Sequence, residues 1–246
     1  FDQQNYGLSL SFRKPLGEHS YAEVGYTLQN VKIHGIDENA SPEIKAEEGD
    51  FLQSKIDATW VHDTRDDVRI TRTGHKIELG AMYSGMGGDV DAYGFNASGS
   101  QYFNLPFDTI LSIEGAIRTV ESTGDSVPIF ERLFLGGANN LRGFDYREVG
   151  PKDASGEPLG GLTSAYASVE YTFPIMEKVR GAVFWDVGMV SGSAYDLGGD
   201  INSDVGIGLR LYLPIGPIRV DFGVPIQSDE FNDSGGRFNF NIGYKF

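Results

Sequence analysis

Apolar residues recur at every second position along most of this chain. Tyr6, Leu8, Leu10 and Phe12 open the series, followed by Val24, Tyr26 and Leu28. Leu52, Ile56, Ala58 and Trp60 form the next row, then Ile77, Leu79, Ala81 and Tyr83, then Leu111, Ile113 and Ile117. The second half is more regular: Ala165 to Phe173, Val179 to Met189, Val205 to Leu213 and Ile218 to Ile226. At the end Phe238, Phe240, Ile242, Tyr244 and Phe246 alternate with Arg237, Asn239, Asn241, Gly243 and Lys245. Successive side chains of a strand point to opposite faces, so each row predicts a strand with one greasy and one wet wall. No stretch shows a helical period. The pattern predicts about eleven strands of roughly 9–12 residues, the length that crosses a bilayer at a tilt. The Gly/Ser-rich stretch from Tyr93 to Phe103 carries the weakest strand signal.

The wet wall shapes the environment of these strands. Glu114, Arg118, Glu170, Arg180, Asp186, Asp204, Arg210, Arg219 and Asp221 all fall on it. A soluble core does not hold so many charges. Two arrangements accommodate them: a sandwich with its polar faces in solvent, or a barrel with lipid outside and a wet lumen inside. The connections favour the barrel, because short and long ones alternate. Short turns are predicted at 15–20, 105–108, 174–178 and 214–217, with a moderate turn, 64–74, on the same side. Long polar or Gly-rich loops are predicted at 34–50, 123–161, 191–200 and 227–236, and 85–89 falls on their side. Outer-membrane barrels have short periplasmic turns and longer extracellular loops. The acidic segment His34–Asp50 reads as a solvated cap rather than a metal site.

Composition narrows the classes further. A net charge of -15 over 246 residues offers no basic stripe to nucleic acid. Without cysteine, neither disulfides nor thiolate metal sites are available. No run is long and apolar enough for a membrane-spanning helix. Phe1 is neither an initiator Met nor the start of a signal peptide, so the chain is expected to be processed or excised. Both the first and the last strand run from the long-loop side to the short-turn side. An odd count of that kind predicts the C-terminal part (eleven strands, or twelve) of a larger barrel, since bacterial single-chain barrels have even numbers. The fold class expected is therefore all-β: a partial transmembrane antiparallel barrel over 1–246, carrying a long extracellular loop at about 123–161.

That loop contains Phe130-Glu131-Arg132-Leu133-Phe134-Leu135-Gly136-Gly137-Ala138-Asn139-Asn140-Leu141-Arg142-Gly143-Phe144. Its apolar residues and glycine pair suit a segment folded back and packed. It resembles the Arg-Gly-Phe loop of the BamA-type outer-membrane protein assembly factors. The resemblance extends to Val149-Gly150-Pro151-Lys152, Phe184-Trp185-Asp186-Val187-Gly188, Leu213 to Ile218 and Phe238 to Gly243, and to Asp63-Thr64-Arg65-Asp66 as a periplasmic turn. It is strong from about 125 onward and weaker before.

The resemblance implies that the loop dips into a barrel of about sixteen strands, where Arg142 pairs with Asp186 and Phe184 packs beside Phe144 or the guanidinium. It implies an insertase that templates nascent outer-membrane proteins at a lateral seam without nucleotide. Gly243 interrupts the bulky last strand, either permitting a kink by which 237–246 peels inward at the seam or making room for a lumenal neighbour. Phe240, Tyr244 and Phe246 would lie at the periplasmic interface, and the resemblance implies that this ending is an assembly signal. Implied partners are nascent outer-membrane proteins, outer-membrane lipids and accessory assembly lipoproteins reached through periplasmic domains absent here, with no nucleic acid. The implied location is the bacterial outer membrane. Two-partner secretion transporters share the loop, so a polypeptide transporter of the same superfamily is the alternative, and a passive porin-type channel a further one.

Catalysis finds little support: no Gly-x-Ser-x-Gly elbow, His-Glu-x-x-His or phosphate loop occurs. His62 beside Asp63 is the one pair a hydrolase could use. No cofactor and no metal ion is expected, and the protein is read as no enzyme.

Overall fold

A computed structural model describes residues 2–38, 40–124, 126–213, 216–229, 231–232 and 235–243. It contains β1 (Asp2–Pro15), β2 (Ser20–His34), α1 (Pro42–Lys45), β3 (Gly49–Asp63), β4 (Gly74–Ser84) and β5 (Ala92–Leu105). A 3-10 turn at Pro106–Asp108 leads to β6 (Thr109–Ser122). β7 (Thr163–Met176), β8 (Val179–Ser191), β9 (Asn202–Leu213), β10 (Gly216–Gln227) and β11 (Arg237–Ile242) follow. The strands form one antiparallel sheet in sequence order, and β1 and β11 each pair on one side only. Each strand is a neighbour of the next, so successive connections alternate between the two ends of the sheet. One end carries the tight turns and the moderate turn 64–73, the other the long loops and the shorter connection 85–91.

The environment of the two walls is the reverse of a soluble sheet. On β8, Val183 and Trp185 are 44% and 45% exposed, whereas Arg180, Phe184 and Asp186 are buried. The same inversion runs through β9 and β10, where Ile207 and Phe222 face outward and Asp204, Arg210 and Asp221 are buried. A wall of exposed Leu, Ile, Val and aromatic side chains would be an aggregation hazard in water and is the normal exterior of a strand barrel in lipid. No helix among the described residues is long and apolar enough to cross a membrane.

The strands differ from expectation in two ways. The Gly/Ser-rich segment forms a full strand, β5, in unbroken register with β4 and β6. Most strands are also longer than the expected 9–12 residues, with several reaching 14 or 15. Some of the added length lies at the long-loop end, where strand tips pack under loops: Val90, Ala92, Val120 and Val127 form a buried cluster with Phe51 and Phe130 against it. Loop contacts replace lipid there, so alternation alone does not reveal where the strands end.

The acidic segment after β2 is more than a solvated cap. It contains the helical turn α1, capped by Ser41. Glu47 accepts a 2.6 Å hydrogen bond from Arg132 and a 3.0 Å bond from the Ile129 amide, both in the long loop. Its carboxylate therefore clamps a loop more than eighty residues away.

Candidate functional site

The segment between β6 and β7 is a folded element that lies against the inner wall. Leu135 and Val149 exchange backbone hydrogen bonds of 3.1 and 3.0 Å, and Leu133 pairs likewise with Gly161, closing the loop on itself. Gly136 and Gly137 turn the chain between these rungs with φ of +107° and +98°, the left-handed region where side chains are strained. Leu135, Leu141, Phe144 and Val149 form a small apolar core with Val190 of β8. The loop thus has its own hydrophobic reason to stay folded. Glu131, holding Gln53 at 2.6 Å and Lys55 at 3.1 Å, ties it to β3.

Arg142 stands at the tip. Its Nε and Nη2 donate to the two Asp186 oxygens at 2.8 Å each, a bidentate fork. Its backbone N–H also donates to Asp186 at 3.2 Å. The remaining donors reach Glu170 at 2.5 Å and Ser168 at 3.1 Å. The guanidinium lies 3.5 Å from the centre of the Phe184 ring, a cation–π geometry strengthened by exclusion of water. Phe184 therefore packs on the guanidinium, while Phe144 belongs to the loop's own core. Arg180 and Arg210 find other carboxylates: Arg180 binds Asp108 at 3.0 Å, and Arg210 binds Glu170 at 2.5 Å and Asp221 at 2.6 Å. Glu170 bridges Arg142 and Arg210, so loop and wall share one buried ion network.

Gly143 has a steric role. A Cβ there would lie 2.5 Å from Asp204 Cβ and 3.1 Å from the Pro225 amide nitrogen. Across the gap, a Cβ on Gly223 of β10 would lie 2.7 Å from backbone atoms of both Arg142 and Gly143. The two glycines let backbone meet wall, and the sequence reading singled out only one of them. It also missed Glu170, Ser168 and Arg210 as partners of the motif. Their positions on the wet face were legible, but their convergence on Arg142 was not.

The loop also grips the terminal strand. Asn239 of β11 donates to the Arg142 carbonyl at 2.7 Å, and Asn241 to the Asn139 side chain at 3.1 Å. Arg237 pairs with Asp145 at 2.7 Å. Phe240 points the other way and is exposed on the outer wall. Gly243 lies beyond the strand rather than within it, which corrects the expectation of one unbroken strand from Arg237 to Phe246. Its φ is +116°, its N–H donates to the Pro217 carbonyl at 2.9 Å, and no described atom lies within 4 Å of a Cβ built on it. A bent backbone, not a crowded neighbour, is what Gly243 accommodates. Tyr244 and Phe246 lie outside the described residues.

The His62–Asp63 pair is divided between other partners. His62 Nδ1 shares a 2.8 Å hydrogen bond with Ser20, and Asp63 is held by Arg65 at 2.9 and 2.8 Å.

At the outer end of the loop, Asp153 organises a tight turn. Its Oδ1 accepts from the Ser155 hydroxyl at 2.6 Å, the Ser155 amide at 2.8 Å and the Glu157 amide at 2.9 Å. The Ser155 hydroxyl bond, with these amides, holds the Asp153 carboxyl well below the usual carboxylate range. A depressed folded pKa stabilises the turn above the unfolded value and loses that contribution as pH falls through the folded one. Protection of the Ser155 and Glu157 amides in hydrogen exchange should accordingly hold down to about pH 4 and fall only below it. Asp153→Asn should remove that acid dependence. An unchanged profile in the variant would assign the protection to other groups.

An antiparallel membrane sheet with a lipid-facing apolar wall, its wet face carrying a folded loop fastened through a buried arginine, defines part of an outer-membrane β-barrel. The whole chain, residues 1–246, matches the Omp85 superfamily domain, and the protein belongs to that superfamily. It is 29% identical over 257 residues to the outer membrane protein assembly factor BamA of Nitratidesulfovibrio vulgaris, covering 100% of this chain and 32% of that protein. In fold it is similar to BamA of Haemophilus ducreyi lacking POTRA domains 1–3, with TM-score 0.78, 19% identity, and coverage of 97% of this chain and 53% of that one. It is also similar to CdiB from Acinetobacter baumannii, with TM-score 0.61, 16% identity, and coverage of 97% and 41%. The chain spans about a third of the length of the first curated relatives it matches. Its place is the bacterial outer membrane.

Proposed function

We propose that this barrel region serves a protein that folds and inserts other β-barrel proteins into the outer membrane, templating their strands on the edge of β11. The observation that carries the reading is the fastening of β11 to the motif loop. Among the described residues, six residue pairs join β11 to β10, and three side-chain contacts from β11 reach the motif loop. A strand edge freed when a seam opens offers N–H and C=O groups that recruit an incoming strand by β-augmentation. Each hydrogen bond formed satisfies a polar group that lipid cannot, so no nucleotide is required. Arg142 links the parts: its guanidinium is anchored to β7 and β8, and its carbonyl holds Asn239 of β11. Displacement of the edge therefore strains the loop. The bend at Gly243 lets the strand end depart from the wall, and Tyr244 and Phe246 beyond it supply the terminal assembly signal. Nascent outer-membrane proteins and membrane lipids are the partners of this edge, and accessory assembly lipoproteins act elsewhere on the longer protein.

This chain has no cysteine, so in a full-length protein cleared of any others, paired substitutions can lock the edge. Asn139→Cys with Asn241→Cys replaces a 3.1 Å side-chain contact with a disulfide in the full-length protein reconstituted in vesicles. Oxidation should stop insertion of a client barrel, and reduction should restore it. Insertion that continues in the oxidised form would overturn the seam. Solute flux without client insertion in the unsubstituted protein would establish a passive channel instead, and export of a soluble polypeptide would establish a transporter.

A further inference from the structure

The connection between β8 and β9, residues 192–201, does not stand clear of the barrel. It folds back over the lipid-facing side of β7 and β6. The Thr163 hydroxyl donates to the Ser193 carbonyl at 2.9 Å, and the Tyr195 amide donates to Thr119 Oγ1 at 3.2 Å. Thr119 and Thr163 are register partners on the outer face, so the loop is pinned to two adjacent strands. Tyr195 has φ of +57°, which an aromatic residue adopts only where its surroundings impose it. The imposed conformation leaves Tyr195 and Leu197 exposed, 56% and 62%, on the membrane side of the loop.

Below them the wall is concave. Leu79, Ala97 and Ile117 are consecutive register partners across β4, β5 and β6, so a small side chain sits between two large ones. Phe95 closes the slot on the same face. Loop and wall together enclose about 520 Å³, with a lining dominated by Leu79, Phe95, Ala97, Ile117, Tyr195 and Leu197. That volume lies within the roughly 300–1,000 Å³ of small-molecule sites.

We propose that this groove holds one acyl chain of a lipid in the leaflet on the long-loop side. The groove is continuous with the apolar wall that faces the bilayer, and its lining is mostly hydrocarbon, with the Thr119 and Thr163 hydroxyls taken up by the loop. An overhanging Leu and Tyr turned toward that wall would leave a void if no chain filled it, and voids forfeit dispersion contacts. The overhang pins a chain that elsewhere on the wall exchanges freely.

The test uses the protein reconstituted in phosphatidylcholine vesicles containing a trace of phosphatidylcholine with a mid-chain diazirine. After photolysis, adducts mapped by mass spectrometry should concentrate on Phe95, Ile117 and Leu197. Ala97→Phe fills the floor of the slot and should reduce these adducts about tenfold, equivalent to about 1.4 kcal/mol. Adducts on Ile207 and Phe222, on the wall of β9 and β10, should not change. Leu197→Ser, which alters the loop and leaves the wall untouched, should produce the same selective loss. Adducts spread evenly along the wall, yields unaffected by both substitutions, or cross-links joining two copies of the chain would each overturn the proposal.

Discussion

Arg142→Ala should release the 123–161 loop from the barrel wall while the wall itself stays folded. The guanidinium is nearly buried, its side chain 6% exposed, and its partner Asp186 is fully buried. Removing one member of a buried, hydrogen-bonded pair strands the other charge, at a cost of about 3–5 kcal/mol. Here Asp186 would lose its fork, Glu170 would lose one of two arginines, and Phe184 would lose its stacked cation. The strand ladders do not depend on these contacts, so the loss should appear as local opening. Protease cleavage within the loop, or exchange of its amides, should rise by two to three decades, following about 1.4 kcal/mol per decade. Arg142→Lys should recover little, because an ammonium cannot reproduce the planar two-point contact. A loop as protected in Arg142→Ala as in the parent would show that its apolar core and the Glu47 and Glu131 clamps suffice alone. A double-mutant cycle with Asp186→Asn separates the pair from the rest, and a coupling below about 0.5 kcal/mol would remove Asp186 from the account.

Gly223→Val should have an effect of similar size by a different route. The substitution places side-chain carbon where the backbone of Arg142 and Gly143 now sits, and backbone atoms cannot move aside as a flexible side chain can. Overpacking of this kind costs about 1–3 kcal/mol where neighbours can shift. Here relief requires the whole loop tip to lift, so the ion pair is lost together with the close contact. The variant should assemble as a barrel, because Gly223 keeps its strand position between β9 and β11 and valine favours strands. Two measurements on one sample check this: retained resistance of the barrel to unfolding, and loss of loop protection. If assembly fails along with the loop, the loop is needed to build the wall. If protection persists, the tip has room that the present packing does not show.

These expectations mark how far the chain could be read before its fold was known. Strand alternation is local, because each residue's side depends only on its neighbour's. Val183, Trp185 and Val187 against Phe184 and Asp186 could therefore be assigned to outer and inner walls directly, as could the alternation of short and long connections. The strangeness of Phe130–Phe144 as an exposed loop was also visible, since apolar residues and paired glycines need packing to justify them. Strand ends were less legible, because loop residues cover the tips of β3, β5 and β6. Gly243 was legible as an interruption that permits a kink in the last strand, but the sign of its φ and the end of β11 before it were not.

What only the tertiary structure decided is which wet-face groups meet. Arg142 reaches Glu170, Asp186 and Asn239 across separations of 28, 44 and 97 residues, and alternation gives each residue's wall without giving its neighbour across the lumen. Gly223, Ser168 and Arg210 carried no local signal for the same reason: their roles are set by what the loop brings against them. The sequence determined a membrane sheet with a charged interior and a loop too apolar for solvent. Closure of that loop on one arginine, and its grip on the last strand, arose from packing in three dimensions.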